Sequence, residues 1–406
     1  MQLRVEQRRF GPRSFLACVL VINILMIMPV DLYAPALPSL TRELGVSEAV
    51  LNSTMFAFFF CTAFSVLLGT PLSDRFGRRV PLAAACALMC LSSLLCAAAP
   101  TLAVLVAGRV GQAFAYGVET AIVTAIIRDA YEGESLKLAM TLSQSLLIIG
   151  PAVAPFLGTF LLAVTSWRGI FACLALFGAV CTVLSLLLDE TLDARYRACG
   201  GVVSSLVHTF SFAGGLLRSR VFIAMLGVMS LASVPYFAWV ATVSYDLLDF
   251  FNLGYVGYSV CYGGTCLVTV LSPYAYLFLS KRLEAQRILG LCFCLVGVTL
   301  VCLVAFGMRS PLAFALSFLP FAFAEGIVRP LAMVVLLQQP PERVAAASMT
   351  TNFVYNVASS LATVVATLPW VNFIVGLDAI MAASLAGMLA LFAWGVRGAE
   401  LSLEEE

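Results

Sequence analysis

Apolar stretches about as long as a bilayer is thick dominate this sequence, and they restrict the chain to few architectures. A membrane-spanning helix needs about 20 mostly apolar residues. Only 11% of the 406 residues are charged and 62% are hydrophobic, so lipid must surround most of the chain. Twelve suitable segments lie near 14–38, 50–70, 80–99, 102–127, 138–163, 168–188, 221–246, 256–279, 288–307, 312–337, 344–368 and 372–396. We therefore predict an all-α polytopic membrane protein with twelve transmembrane helices.

The placement of lysine and arginine predicts the orientation of these spans. Cytoplasmic loops of membrane proteins carry an excess of basic residues. One set of loops, which includes both termini, holds nearly all of them, whereas the opposite set holds only Arg42, Arg168 and Arg309. We predict a multi-pass protein of the inner (cytoplasmic) membrane with both termini in the cytoplasm. The apolar run after Arg13 is too long for a signal peptide and is expected to remain as the first span.

The second half of the chain repeats the layout of the first. The basic loop at Arg75 corresponds to the loop at Lys281 and Arg282, and Glu119 corresponds to Glu325. Two parallel repeats are typical of transporters whose substrate site lies between the halves at mid-membrane. The predicted parts are a six-helix bundle at 1–188, a cytoplasmic connector at 189–220 with a short helix around 202–212, a second bundle at 221–397 and an acidic cytoplasmic tail at 398–406.

Charge is concentrated in the stretch GTPLSDRFGRRVPL, residues 69–82. Aspartate at a helix end can pair with arginine or cap a neighbouring helix, and glycine permits a tight turn. Such a cluster can latch the two halves together on one side of the membrane and release them when they rock apart. The alternative is that the arginines only enforce orientation. The predicted gate residues are Asp74, Arg75, Gly77, Arg78 and Arg79.

Several motifs resemble those of the major facilitator superfamily. SDRFGRR resembles its loop signature between the second and third helices, and RVGQAFAYG, residues 109–117, its fourth-helix motif. GPAVAPFLG, residues 150–158, resembles the fifth-helix motif that distinguishes exporters from importers, with matches at Gly150, Pro155 and Gly158.

Shorter pieces resemble one branch of that superfamily, the twelve-span drug/proton antiporters with their multidrug-efflux and bicyclomycin- and chloramphenicol-resistance members. These pieces are DLYAPALPSL (31–40), RDAY (128–131), SWRGIF (166–171) and DETL (189–192). The resemblance implies two pseudo-symmetric six-helix bundles and a proton-coupled exporter.

Each charged side chain inside a predicted span raises the free energy of membrane insertion by at least about 2.5–3.5 kcal/mol. Such residues are therefore candidates for a functional role. Residue counts from the outer ends of the spans place Asp31 and Arg109 at comparable depth, and likewise Glu119 and Arg329. An ion pair is therefore geometrically possible between Asp31 and Arg109 and between Glu119 and Arg329. Within one helix, Glu325 and Arg329 can also pair. The alternative to a functional role is a set of static ion pairs that hold the helices together.

A proton carrier requires a carboxylate in a low-dielectric site. Asp31 is the first candidate, because the resemblance implies an acidic residue in this part of the first helix. Glu119 or Glu325 is expected to supply a second carboxylate. Asp246 and Asp378 lie nearer the outer ends of their spans, where we expect hydration to accommodate them.

Aromatic residues of the seventh and eleventh spans can line a pocket for lipophilic or cationic compounds, although core packing is the alternative. They are Tyr236, Phe237, Trp239 and Tyr355. Asn23 is added to the predicted cavity, because it stands where some members of the branch carry a second acid.

Other classes of function find little support in the sequence. The single histidine, His208, lies in a polar segment, and most of the 13 cysteines lie in apolar runs, so metal and catalytic chemistry are not expected. No Gly-Lys-Ser/Thr loop indicates ATP use, and a net charge of +1 gives no reason to expect nucleic acid. We predict a monomer without a cofactor whose partners are small drug-like molecules, protons and lipid. The alternative is a nutrient or metabolite uniporter or symporter of the same fold.

Overall fold

The computed structural model describes residues 3–5, 7–192 and 214–396. Within these ranges the chain is helical and contains no strand. The helices are α1 (Pro12–Ile27), α2 (Leu37–Leu44), α3 (Glu48–Phe76), α4 (Arg79–Ala97), α5 (Leu102–Ala130), α6 (Gly133–Val164), α7 (Trp167–Leu187), α8 (Arg220–Ser244), α9 (Tyr255–Leu279), α10 (Ala285–Phe306), α11 (Pro311–Leu337), α12 (Pro341–Ala366) and α13 (Phe373–Leu391). The predicted all-α class is confirmed.

Each predicted span from the second onward overlaps one helix, whereas the first contains most of α1 and the start of the short helix α2. Of the helices in the described ranges, nine are long and apolar enough to cross a membrane, and two further apolar segments, Pro12–Ile27 and Gly150–Val164, are shorter. The protein is therefore a multi-pass membrane protein.

The first span is broken, so the prediction of one helix over 14–38 is wrong. Helix α1 ends at Ile27, and turns followed by a single 3₁₀ turn lead into α2. Pro29 and Pro35 explain the break, because proline has no N–H to donate and its ring collides with the preceding turn. The break places Asp31 in a segment of turns between α1 and α2 instead of within a helix.

Contacts divide the described residues into two compact units. Those within Met1–Gly45 and Ala57–His208 form the first, and those within Val46–Phe56 and Thr209–Glu406 form the second. The predicted helix around 202–212 and the predicted tail at 398–406 lie outside the described residues.

Apolar side chains from several helices form the core of each unit. In the first unit, buried residues of α1, α4, α5 and α7 pack together, among them Phe15, Cys86, Ile122 and Cys181. In the second unit, Trp239 is fully buried, and its ring stacks on Tyr262 at 5.0 Å and on Phe318 at 4.8 Å. For Trp239 these contacts favour core packing, the alternative to a place in a substrate pocket.

The expectation of hydration at Asp246 is also wrong. Helix α8 continues into a π-helical turn, Tyr245–Phe250, and Asp246 on this turn is only 2% exposed. Its Oδ2 atom has no hydrogen-bond partner. A π turn inserts an extra residue and so changes the face on which the following side chains lie. Asp378 on α13 is partly exposed, although its Oδ1 atom is buried without a partner.

Candidate functional site

Helix α6 lies against both ends of the break that carries Asp31. A Cβ atom on Gly150 would lie 2.8 Å from Cγ2 of Ile27, the last residue of α1. A Cβ atom on Gly158 would lie 2.6 Å from the carbonyl oxygen of Leu32, which follows Asp31. Pro155 lies between these glycines inside the continuous helix α6. The predicted motif of α6 therefore permits close approach to the broken span.

Arg109 of α5 also contacts this break. Its Nη1 atom donates to the carbonyl oxygen of Pro29 at 2.9 Å and to Oε1 of Gln112 at 2.9 Å, and Gln112 in turn donates to Oγ of Ser93 at 2.8 Å. Its Nε and Nη2 atoms are buried without hydrogen-bond partners. The hydrogen bonds of Arg109 thus go to neutral oxygens and not to the carboxylate of Asp31, the ion-pair partner that the residue counts allow.

Two aromatic rings cover the guanidinium of Arg109. Its carbon Cζ lies 4.7 Å from the ring centroid of Tyr33 and 4.4 Å from that of Phe58. Such cation–π contacts contribute up to about 2 kcal/mol each when they are desolvated. The side chain is fully buried. A positive charge is therefore held firmly beside the segment that contains Asp31, which is itself buried.

The two other polar candidates of the first unit lie deeper in its packing. Asn23 of α1 donates from Nδ2 to Oγ of Ser143 on α6 at 3.0 Å. Glu119 of α5 is fully buried, accepts from the Thr120 hydroxyl at 3.4 Å and leaves Oε1 without a partner. The pairing of Glu119 with Arg329 stays a prediction.

The second unit brings together most of the predicted pocket residues. The rings of Tyr236 and Phe237 on α8 lie 5.4 Å apart, and Phe237 lies 6.0 Å from Tyr355 on α12, both at near-perpendicular angles. The guanidinium of Arg329 on α11 lies 4.8 Å from the Tyr355 ring. Glu325, one turn earlier on α11, is buried.

Arg78 is the centre of the predicted gate motif. It donates from Nη1 to Oδ1 of Asp74 at 2.5 Å and to Oγ of Ser73 at 2.7 Å, and from Nε to Oδ2 of Asp129 at 2.8 Å. Burial disfavours the charged guanidinium, but the hydrogen bonds to the two aspartates outweigh it and leave the pKa of Arg78 raised. Arg75 is exposed, and its guanidinium lies 5.2 Å from the ring centroid of Phe76.

Glu190 caps the start of α4, a role that sequence reasoning missed. Its Oε1 accepts from the backbone N–H of Arg78 at 2.7 Å, and its Oε2 accepts from that of Arg79 at 3.3 Å. Gly77 has a φ of +85°, and a Cβ atom there would collide with the Glu190 carboxylate. Asp129 and Glu190 belong to the RDAY and DETL stretches, so the motifs themselves were the signal available.

A second missed cluster joins α2 to the start of α7. Glu43 accepts a hydrogen bond from Nε1 of Trp167 at 2.7 Å and forms an ion pair with Arg168. The Arg168 guanidinium also lies 4.1 Å from the Trp167 ring. Hydrogen bonds from Arg168 and Trp167 lower the pKa of Glu43 below its ordinary value. The SWRGIF stretch therefore anchors the short helix that follows the break.

Sequence relatives are bacterial transporters. The uncharacterized MFS-type transporter YdgK of Bacillus subtilis is 29% identical over 237 residues, which are 58% of each chain. The multidrug resistance protein MdtL of Escherichia coli O157:H7 is 28% identical over 215 residues, 53% of this chain and 54% of that protein. The chain thus matches a little over half the length of these curated relatives.

Solved transporter structures share the fold at low sequence identity. A bacterial homologue of the human lysosomal transporter Spinster has a TM-score of 0.74 at 14% identity and covers 94% of this chain and 96% of its own. A D-xylose–proton symporter has a TM-score of 0.72 at 15% identity, with 96% and 100% covered. The family model of the Major Facilitator Superfamily matches residues 19–367. The chain therefore belongs to the Major Facilitator Superfamily of transporters.

Proposed function

We propose that this transporter is a proton-coupled antiporter, which exports small lipophilic drugs or related compounds across the cytoplasmic membrane by alternating access. The observation that carries the proposal is the broken first span, in which buried Asp31 follows Pro29, whose carbonyl oxygen binds buried Arg109. Irregular backbone at membrane depth is tolerated where it is buried in protein or lines a cavity. Discontinuous spans of this kind form ion and substrate sites in secondary transporters.

Asp31 is the proposed proton carrier. The charge of Arg109 is held by Tyr33, Phe58 and Gln112 whether or not Asp31 is ionised. Loss of a proton from Asp31 places a negative charge in the buried segment whose Pro29 carbonyl oxygen binds Arg109, and gain of a proton removes it. The two states of Asp31 therefore differ in electrostatic energy within a low-dielectric site, as coupling requires.

The second unit supplies the proposed substrate contacts. Tyr236, Phe237 and Tyr355 present rings at near-perpendicular angles, which suit lipophilic and aromatic compounds. Glu325 is the preferred second carboxylate, because it is buried within one helical turn of Arg329 beside these rings. Glu119 is the other candidate, and its buried Oε1 has no hydrogen-bond partner.

The glycine motif of α6 favours export over uptake. Its glycines support tight packing of α6 against α1 and the break, which limits leakage of protons through the first unit. MdtL, which matches about half of the chain, is named as a multidrug resistance protein. We propose that the protein acts as a monomer in the inner membrane with both termini in the cytoplasm.

Transport into everted membrane vesicles tests the proposal. Vesicles with an acidic interior are given ethidium or labelled chloramphenicol, with vesicles that lack the protein as the control. We expect accumulation that a proton ionophore abolishes. Accumulation that survives the ionophore would end the antiport proposal. Accumulation only in right-side-out vesicles would favour the alternative, a nutrient or metabolite uniporter or symporter.

A further inference from the structure

An apolar groove of about 330 Å³ lies on the outer surface of the first unit, between the end of α3, the start of α4 and the middle of α5. Its lining is entirely hydrophobic: Leu72, Phe76, Val80, Pro81, Ala84, Ala85, Leu88, Phe114, Ala115 and Val118. Phe76 is 50% exposed and Val80 is 64% exposed. The groove therefore opens outward from the bundle, toward the surroundings of the helices.

The groove extends from a charged loop into the apolar part of the helices. Phe76 and Val80 lie at the loop, and Leu88 lies eight residues further along α4, about 12 Å deeper at the rise of an α-helix. An apolar channel that begins at a polar loop and leads inward has the shape required by one hydrocarbon chain attached to a polar head.

The loop end of the groove carries positive charge that no acid of the described residues neutralises. The guanidinium of Arg75 lies on the Phe76 ring and makes no hydrogen bond or ion pair within the described ranges. The two nearest acids are engaged elsewhere: Asp74 pairs with Arg78, and Glu190 accepts from backbone N–H groups. Arg79, which precedes Val80, donates to the carbonyl oxygen of Leu186.

We propose that this groove binds one acyl chain of an anionic glycerophospholipid of the bilayer, with the lipid phosphate held by Arg75. Arginine binds phosphate through charge-assisted hydrogen bonds, which its cation–π contact with Phe76 leaves available. The distribution of basic residues predicts that this loop is cytoplasmic, and the negative surface potential of the cytoplasmic leaflet attracts basic residues next to membrane spans. The inference is independent of the substrate and of proton coupling.

Lipid titration of the purified full-length protein tests the proposal. Native mass spectrometry compares phosphatidylglycerol with phosphatidylcholine of the same acyl chains. We expect the protein to prefer phosphatidylglycerol. Arg75→Gln should weaken phosphatidylglycerol binding about fivefold and leave the affinity for phosphatidylcholine unchanged. Ala84→Trp fills the groove from its exposed side and is expected to weaken binding of both lipids; Leu88→Trp serves the same purpose if Ala84→Trp does not fold.

Arg282→Gln is the matched control, because Arg282 lies on an exposed aromatic ring, that of Phe278 at 4.4 Å, in the corresponding loop of the second half. If Arg282→Gln lowers the affinity for phosphatidylglycerol as much as Arg75→Gln does, the proposal would be overturned in favour of a general attraction of the lipid to basic loops. Phosphatidylglycerol binding that survives the groove-filling variant would overturn the placement of the acyl chain in the groove. Equal affinity for the two lipids would overturn the role of Arg75.

Discussion

Gly158 on α6 lies directly against the carbonyl oxygen of Leu32, the residue that follows Asp31 in the broken first span. A Cβ atom at position 158 would be 2.6 Å from that oxygen and 3.0 Å from Cγ of Pro35. A methyl carbon cannot lie 2.6 Å from a carbonyl oxygen, so one of the two atoms would have to shift. The absence of a side chain at this position is therefore what allows α6 to support the segment that carries the proposed proton site.

Gly158→Ala should separate α6 from the break. The new methyl group meets backbone rather than a flexible side chain, so we expect a loss of about 1–3 kcal/mol in stability and proton leakage through the protein. Gly264→Ala on α9 is the control, because a Cβ atom there meets nothing within 4 Å. Melting temperature in detergent and acidification of proteoliposomes measure the two effects. Equal melting temperatures for both variants would contradict the packing role of Gly158.

Asp31→Asn should abolish proton-coupled efflux while leaving the protein folded. The amide has nearly the same shape as the carboxylate but cannot bind and release a proton, so the transporter loses its proposed proton carrier. Asp378→Asn, a partly exposed acid near the start of α13, is expected to keep efflux. Drug accumulation in everted vesicles at several pH values provides the measurement. Unchanged efflux in Asp31→Asn would remove Asp31 from the mechanism and leave Glu325 or Glu119 as the proposed carrier.

The sequence predicts those features that depend on local composition. Apolar length alone predicts the positions of the nine helices that are long and apolar enough to cross a membrane in the described ranges, because a bilayer sets a minimum length for every span. The neighbourhood of Tyr236, Phe237 and Tyr355 was predictable from their shared place near the middle of the seventh and eleventh spans. The gate and α6 motifs were recognisable from their charges and glycines at fixed spacings.

Features that depend on tertiary contacts were not predictable from local composition. The apolar run at 14–38 has the same composition whether it is one helix or a broken one, and α6 packing decides the outcome together with the prolines. Glu190 caps α4 from more than one hundred positions away along the chain. Asp246 is buried in the π turn that follows α8, and local composition does not indicate this turn.

Asp74→Ala should slow turnover without a comparable change in substrate affinity. Arg78 loses one carboxylate but keeps its hydrogen bonds to Asp129 and Ser73, so we expect the first unit to remain folded. The predicted gate motif then lacks one charge-assisted contact, which typically contributes about 1.5–3 kcal/mol, and turnover should fall severalfold. Concentration-dependent efflux rates separate maximal rate from affinity. A pure loss of affinity would indicate a binding role instead.

Glu190→Ala should destabilise the start of α4. The two backbone N–H groups at Arg78 and Arg79 lose their acceptor, and loss of a helix cap costs about 0.5–2 kcal/mol. Glu132→Ala is the matched control, because Glu132 occupies the N-cap position of α6 without a side-chain cap hydrogen bond. Thermal unfolding in detergent compares the two variants. A melting temperature that falls equally in both would argue against specific capping by Glu190.

Acidification should weaken the attachment of α2 through Glu43. Hydrogen bonds from Arg168 and Trp167 favour the ionised carboxylate, so the pKa of Glu43 in the folded protein lies below its ordinary value of 4.5. A lowered pKa in the folded state contributes stability that is present above 4.5 and is lost as the pH falls through the folded value. Glu43→Gln should therefore lower the melting temperature at neutral pH and lose less stability on acidification than the unmodified protein.

Glu134→Gln, which removes an exposed acid paired with Lys137, is the control and should leave the pH profile unchanged. Parallel pH profiles for Glu43→Gln and the unmodified protein would contradict this role of Glu43.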